Sequence, residues 1–169
     1  MLLNESYKSW YVAYTYPNAE KKVKRMLEQS GVTSFLPLQK VVRRWSDRTK
    51  KVELPFFPNY IFIYTSPREM YVPLKIKGIL RFVTFEGRAA TISDTMIESL
   101  KKILSGDAIV SNEAFSEAGM PVKITTGPFA GIEGKIAKQS GKTRLLVQIK
   151  SLNRIVSVEL SSNMVEAIN

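Results

Sequence analysis

The residues of this sequence that could carry out chemistry are carboxylates, hydroxyls, amines and guanidinium groups, because the chain contains neither cysteine nor histidine. Disulfides, thiolate or imidazole metal sites, and Ser-His-Asp or Cys-His nucleophiles are therefore excluded. The carboxylates are predicted to lie in turns, at helix caps or in a linker, without the paired arrangement that acid–base catalysis requires. Those considered are Asp47, Glu53, Glu69, Asp94 and Asp107. The sequence predicts a protein that is not an enzyme and holds no metal and no cofactor.

One short segment, Ser140-Gly141-Lys142-Thr143, resembles the end of a phosphate-binding loop. Such a loop needs a glycine five residues before Gly141, where this chain has Ile136. A helix should also follow, whereas RLLVQIK has the pattern of a strand. We therefore interpret the segment as a polar hairpin turn.

Positive charge is the strongest chemical signal, since 25 Lys and Arg residues against 15 Asp and Glu residues give a net charge of +10. Such a surface favours polyanionic partners. The sequence has no run of about 18 apolar residues and no signal-peptide pattern, so a soluble cytoplasmic protein without a membrane partner is expected. Two groups of cations stand out, and each is either a solvated face or a nucleic-acid contact. They are Arg43, Arg44, Arg48, Lys50 and Lys51 around Trp45, and Lys21, Lys22, Lys24 and Arg25.

The elements that must position these cations alternate between strands and helices up to residue 104. SWYVAYTY predicts a strand, Asn18 is predicted to cap a helix that ends at Gly31, and residues 34–54 predict a basic hairpin. The run YIFIY predicts a central strand, and Ser66, Pro67 and Glu69 predict a capping box before a short helix. A strand at 79–83 and a helix from Ser93 or Asp94 to Leu104 complete a predicted α/β sandwich over residues 1–104.

The remainder of the chain has a different pattern. Residues 105–119 lack a sustained apolar face and are predicted to form a linker. Residues 120–169 show about five short strand patterns and no helical stripe, which predicts a small closed β-barrel. Gly127, Gly131 and Gly134 are predicted to form a corner of that barrel.

The chain resembles the NusG/RfaH family of transcription factors over nearly its whole length. VKITTGPFAGIEGKI is similar to a KOW motif, with Gly127, Pro128, Phe129, Gly131 and Gly134 at its centre. The family's N-terminal (NGN) domain is similar to the first part of this chain, in which SWYVAYTYPNAEKKV is followed by the basic hairpin and then by PFFPNYIFIY. Within it, the FFPNY stretch resembles specialised RfaH-type paralogues. The resemblance implies an α+β fold, in which an NGN-like α/β sandwich is joined by a linker to an SH3-like KOW barrel.

This resemblance also implies partners. Tyr14, Phe57 and Tyr60 match an aromatic patch that grips the clamp helices of the largest RNA polymerase subunit, whereas we assign Trp10 and Phe62 to the core. The hairpin would face upstream or non-template DNA, and the cations of the first helix form a second candidate surface. In RfaH-type proteins that helix reads a DNA element with a His and Arg residues. This chain has Met26 and Gln29 instead, so the sequence preference does not transfer.

The KOW barrel would recruit a small-subunit ribosomal protein or the termination factor Rho, and the protein is expected to be a monomer. A ribosome-associated or rRNA-binding KOW protein is the alternative, which the FFPNY segment disfavours. The sequence leaves open the target element, the direction of the effect on pausing, and whether the barrel stays separate, docks or refolds. Its β-branched residues favour a stable barrel.

Overall fold

The computed structural model describes residues 7–106, 110–114, 119–125, 130–139 and 141–159. Backbone contacts divide the chain into two compact units, residues 1–94 and 95–169. This division falls before the predicted boundary at residue 104, because the helix that begins at Asp94 is grouped with the second unit. The fold is mixed, with many strands and few helices, as the sequence predicted. No helix in the described ranges is long and apolar enough to cross a membrane.

The first unit is built around one antiparallel sheet, one ten-residue helix and two small hairpins. Its elements are β1 (Ser9–Thr15), α1 (Glu20–Gln29), β2 (Ser34–Phe35), β3 (Leu38–Arg44), β4 (Thr49–Pro55), β5 (Tyr60–Thr65), α2 (Tyr71–Leu74), β6 (Ile79–Phe82), β7 (Thr84–Phe85), β8 (Arg88–Ala89) and β9 (Thr91–Ile92). The sheet has the order β2-β5-β1-β6, and β9 also pairs with β1. Strand β1 is therefore central, with β5 along one edge and both β6 and β9 along the other.

The two faces of this sheet carry different side chains, because successive residues of a strand point to opposite sides. On one face Trp10 lies opposite Tyr64 and Tyr14 lies opposite Tyr60. The other face is mostly aliphatic, although Tyr11 and Phe82 also lie on it. It packs against α1, whose residues four apart lie on one side of the helix. This aliphatic core contains Ala13, Val23, Leu27, Leu36, Ile61, Ile63 and Ile79. The aliphatic face is covered by α1, whereas Tyr14 and Tyr60 on the aromatic face remain partly exposed. The candidate site is therefore on the aromatic face.

The predicted cap at Asn18 is wrong, because Ala19 occupies the N-cap position of α1 and makes no side-chain cap. Asn18 instead has a φ of 61°, and Ala19 N–H donates to the carbonyl of Tyr16 at 3.1 Å. Pro17 followed by a residue with positive φ is the arrangement of a type II turn, in which asparagine is tolerated. The turn requirement therefore outweighs the capping preference.

The predicted basic hairpin is present as β3 and β4, which form a two-stranded sheet separate from the main one. Its register runs from Leu38 opposite Pro55 to Arg44 opposite Thr49, and Trp45 N–H donates to the carbonyl of Arg48 at 2.7 Å in the turn. Most of its residues are exposed.

The predicted capping box is not formed in full, because Ser66 makes no side-chain hydrogen bond to the helix backbone and its Oγ instead donates to Glu69 Oε2 at 3.2 Å. The Lys8 ammonium lies 3.1 Å from the same carboxylate. The hydrogen bond from Lys8, assisted by Ser66, lowers the pKa of Glu69 below its ordinary value. The helix that follows is short, as expected of a segment containing Pro73.

The second unit contains one helix, all but its first residue Asp94, and one five-stranded antiparallel sheet. These elements are α3 (Asp94–Ser105), β10 (Val110–Ala114), β11 (Met120–Lys123), β12 (Glu133–Gln139), β13 (Lys142–Ile149) and β14 (Arg154–Glu159). The strand order is β10-β14-β13-β12-β11. The strand predicted near Met164 lies outside the described residues.

Part of the predicted linker is a strand, since all five residues of β10 pair with β14, from Val110 opposite Val158 to Ala114 opposite Arg154. The sequence VSNEA has no apolar periodicity, and pairing along a sheet edge requires only backbone N–H and C=O groups. A search for apolar faces therefore misses it.

Gly134 in β12 leaves no room for a side chain. A Cβ built there would lie 2.5 Å from the carbonyl oxygen of Leu146, a backbone atom of the neighbouring strand. We predict that Gly134→Ala destabilises the sheet by about 1–3 kcal/mol, because β12 and β13 must separate. Faster hydrogen exchange of the β12 and β13 amides would report this change. Lys138→Ala, an exposed position on the same strand, is the control. Equal protection in both variants would contradict the prediction.

Candidate functional site

An aromatic patch, defined as Tyr14, Tyr60 and Arg81, crosses three adjacent strands of the first unit. Tyr14 and Tyr60 are direct cross-strand partners, and their half-buried rings meet edge to face with centroids 5.4 Å apart. Arg81, on the other side of β1, places its guanidinium carbon 5.7 Å from the centroid of the Tyr14 ring. That distance suits a cation–π contact. The patch thus presents two fixed rings and one exposed cation on the same sheet face.

Arg81 was not among the residues predicted from the sequence. The segment ILRF, which contains Arg81, predicts a strand but does not predict which strand it pairs with. Only the β1–β6 register, which pairs Tyr14 with Arg81 across a bulge, brings the cation to the ring. The sequence contains no local signal for this pairing.

The turn before Tyr60 fixes the patch. Asn59 has a φ of 71°, and Tyr60 N–H donates to the carbonyl of Phe57 at 3.2 Å. Thr15 N–H donates to the carbonyl of Asn59 at 2.8 Å, and Asn59 N–H donates to Glu20 Oε1 at 2.8 Å. Glu20 is buried, with only 4% of the residue exposed. The ends of β1 and β5 and the start of α1 therefore meet at Asn59.

Phe57 does not belong to the patch, so its prediction as an exposed aromatic contact is wrong. Its side chain is 1% exposed and packs edge to face against Phe56 at 4.9 Å and Phe62 at 6.2 Å. The turn at 57–60 reverses the chain, so that Phe57 points into the core while Tyr60 begins β5. An apolar ring gains more from burial than a tyrosine whose hydroxyl needs a polar partner.

The two aromatic residues assigned to the core differ in burial. Phe62 is fully buried and stacks on Phe35 at 6.1 Å. Trp10 is half-buried, and its indole N–H donates to Asp94 Oδ1 at 3.0 Å. Both are accounted for by structural contacts within the first unit.

The basic hairpin carries all five of its predicted cations on exposed positions: Arg43, Arg44, Arg48, Lys50 and Lys51. Arg43 lies directly opposite Lys50. Like charges in such a cross-strand pair repel each other and destabilise the hairpin. Arg48 lies 4.0 Å from Asp47, but both side chains are about 70% exposed, so this pair compensates little charge. Trp45 is 46% exposed at the tip.

The four predicted cations of α1 are not equivalent. Lys22 and Arg25 are exposed and have no ion-pair or hydrogen-bond partner among the described residues. Lys24 pairs with Glu28 one turn later. Lys21 donates to the backbone carbonyl of Glu53, on the hairpin, at 2.6 Å. The structure thus separates two free cations from two that are engaged within the protein.

The glycine-rich corner of the second unit is described in part. Gly131 has a φ of 87°, and its N–H donates to the carbonyl of Ile124 at 2.7 Å. Gly134 does not lie at a corner as predicted, because it pairs with Val122 within β12, where it allows β12 and β13 to approach closely. Gly127, Pro128 and Phe129 lie outside the described residues. A cavity of about 250 Å³ adjoins this corner, with Pro121, Leu146 and Ile155 among its lining residues.

The segment that resembled a phosphate loop is a hairpin turn wherever the structure describes it. Gly141 has a φ of 76°, and Gln139 pairs with Lys142 as β12 passes into β13. The Lys142 ammonium lies 2.8 Å from Glu159, and a strand rather than a helix follows. This prediction is confirmed for residues 141–149, and Ser140 lies outside the described residues.

Comparisons with known proteins agree with this architecture. The family described as "Transcription termination factor nusG" matches residues 8–101, more than half of the chain. The chain is 28% identical to the transcription termination/antitermination protein NusG of Pseudomonas aeruginosa, covering 95% of this chain and 99% of that protein. It is 26% identical to the NusG of Halalkalibacterium halodurans with the same coverage. A solved structure, "Domain interaction in Thermotoga maritima NusG", matches with a TM-score of 0.56 and 21% identity over 96% of this chain and 98% of that one.

The interior position of Phe57 leads to a stability prediction. Phe57→Ala should lower the free energy of unfolding by about 3–5 kcal/mol, because it empties a packed site. Urea denaturation followed by tryptophan fluorescence reports on this unit, since both tryptophans, Trp10 and Trp45, lie in it. Phe85→Ala removes a ring that is 46% exposed and should cost less than about 1 kcal/mol. Equal losses in the two variants would contradict the placement of Phe57.

Proposed function

Because the chain belongs to the NusG family of transcription factors, we propose that it binds RNA polymerase during elongation and changes pausing or termination. The observation that carries this proposal is the aromatic patch, held rigidly at the junction of β1, β5 and β6. Nothing in this function requires the chain to make or break a covalent bond.

The aromatic patch would bind the clamp helices of the largest polymerase subunit. Tyrosine and arginine are the residue types most often responsible for binding energy at protein interfaces. Because the Tyr14 and Tyr60 rings already contact each other, little side-chain entropy is lost when a partner covers them. Arg81, adjacent and exposed, would add a charged contact at the rim of the same surface.

The basic hairpin would face upstream or non-template DNA. The repulsion between Arg43 and Lys50 would be relieved by phosphates, and the exposed Trp45 ring could stack on an unpaired base. Lys22 and Arg25 on α1 are further candidates, because their charges are not neutralised within the described residues. These contacts would attach the protein to nucleic acid without requiring sequence recognition.

The second unit would act as the recruiting module, closing into a KOW-type barrel that binds a small-subunit ribosomal protein or Rho. We propose residues 1–104 as the polymerase-binding domain, 105–119 as the connection and 120–169 as the barrel. Strand β10 would then attach the connection to the sheet edge.

An effect on pausing follows from differential binding alone. A protein that contacts both the polymerase and the nucleic acid binds the elongating conformation with a different affinity from the paused one. The equilibrium between these conformations then shifts by the difference in binding free energy.

A prediction for the polymerase contact concerns Tyr60. Replacing Tyr60 with Ala should weaken binding to purified bacterial RNA polymerase by about 2 kcal/mol, roughly 30-fold, because one of the two fixed rings is lost. Titration of a labelled protein would measure this affinity. Tyr7→Ala, which removes a ring that is 72% exposed and outside the sheet, is the matched control. Unchanged affinity in a folded Tyr60 variant would refute the polymerase assignment for this patch.

A second prediction concerns the hairpin charges. The triple variant Arg43→Gln, Arg44→Gln, Lys50→Gln should bind DNA-containing elongation complexes more weakly and with a flatter salt dependence. Each lost phosphate contact should lower the log–log slope by about 0.7–0.9. Lys138→Gln, Lys150→Gln, Arg154→Gln removes three exposed cations from the second unit and is the control. A larger loss of affinity in this control variant than in the hairpin variant would contradict the prediction. If a pull-down from lysate also recovered ribosomes and no polymerase, the rRNA-binding alternative would be favoured.

A further inference from the structure

The hairpin is joined to the rest of the first unit at its base and by one side chain. At the base, Phe56 N–H donates to the carbonyl of Pro37 at 2.8 Å. Beyond the base, the Lys21 ammonium reaches the Glu53 carbonyl at 2.6 Å. No other side-chain hydrogen bond joins residues 38–55, all of them described, to another element. Lys21 is therefore the brace between the hairpin and α1.

This brace acts on the strand itself, because its acceptor is a backbone oxygen. A two-stranded ribbon has no third strand to fix its direction, so its angle to the domain depends on contacts at its base. Arg43, Lys50 and the Trp45 turn lie several residues farther out. A swing of about 10° at the base would move a tip roughly 20 Å away by about 3 Å, given a rise of about 3.3 Å per strand residue. That displacement is enough to break a hydrogen bond to phosphate.

The neighbouring lysines show that this role is particular to position 21. Lys22 is exposed and unpaired among the described residues, and Lys24 is engaged by Glu28 on its own helix. Lys21, one residue from Lys22, points instead to another element.

We propose that Lys21 is a positioning residue, which holds the basic hairpin at the angle at which its cations and Trp45 meet nucleic acid. Its effect on binding is then transmitted through the hairpin and does not come from a phosphate contact of its own. The consequence for nucleic acid rests on the proposed function, whereas the orienting contact itself does not.

The orientation can be tested on the free protein, because a chain without cysteine accepts site-specific spin labels directly. Labels at Ser46→Cys and Gln29→Cys, both exposed, report the distance from the hairpin tip to α1. We expect Lys21→Met to broaden this distance distribution, Lys22→Met to leave it unchanged, and Lys21→Arg to restore it. Equal distributions for Lys21→Met and the parent would overturn the proposal.

The functional arm is a double-mutant cycle on the full-length protein bound to DNA-containing elongation complexes. Lys21→Met alone should lower the log–log slope of affinity against salt by more than about 0.9, the value for one phosphate contact. Lys22→Met should lower this slope by no more than about 0.9. In the background of the hairpin triple variant, Lys21→Met should change affinity by less than about twofold, whereas Lys22→Met should keep its full effect. If both lysines are additive with the hairpin, Lys21 is a simple phosphate contact and the proposal fails. If the triple variant alone has no effect while the label distances still broaden, the brace is upheld and the hairpin's nucleic-acid role is refuted.

Discussion

The junction at Asn59 is the constraint on which the first unit depends. Its left-handed backbone reverses the chain within four residues, and its N–H and C=O groups bond to Glu20 and Thr15. A carboxylate as buried as that of Glu20 is stable in the interior only with a hydrogen-bond donor. Loss of either partner would leave a buried polar group unsatisfied, at a cost of about 1–3 kcal/mol. Helix α1 and strands β1 and β5 are thus fixed relative to one another by polar contacts as well as by their aliphatic core.

The aromatic residues on the two sides of this junction have different roles. Phe57, before the turn, completes the interior with Phe56 and Phe62. Tyr60, after the turn, lies in register with Tyr14 and leaves part of its ring accessible. The same helix start that bears Glu20 also bears Lys21, whose ammonium holds the hairpin. The aromatic patch and the basic hairpin are therefore positioned from adjacent residues of one helix.

The sequence predicted those features that depend on local chemistry. The strands at 9–15 and 60–65, the exposed basic hairpin and the turn at Gly141 follow from apolar periodicity, charge and turn residues, and each is present. Features that depend on partners distant in the chain were missed. Arg81 joins Tyr14 only through strand register, and β10 forms only because β14 offers a free edge. Asn18 was misassigned because the requirement of a turn outweighed its capping preference. Phe57 was misassigned because the resemblance placed its ring at the surface, whereas an apolar ring favours burial.

The hairpin's repelling pair also bears on how the protein could respond to its surroundings. Histidine is the side chain whose ordinary pKa lies between pH 5 and 8, and this chain has none, nor any cysteine. The chain therefore lacks the side-chain type that most often changes charge near neutral pH. Counterions can modulate the charge of the hairpin through screening, since the Debye length shortens as salt accumulates. For the proposed contact between the hairpin and nucleic acid, added salt is therefore the change of conditions that weakens binding.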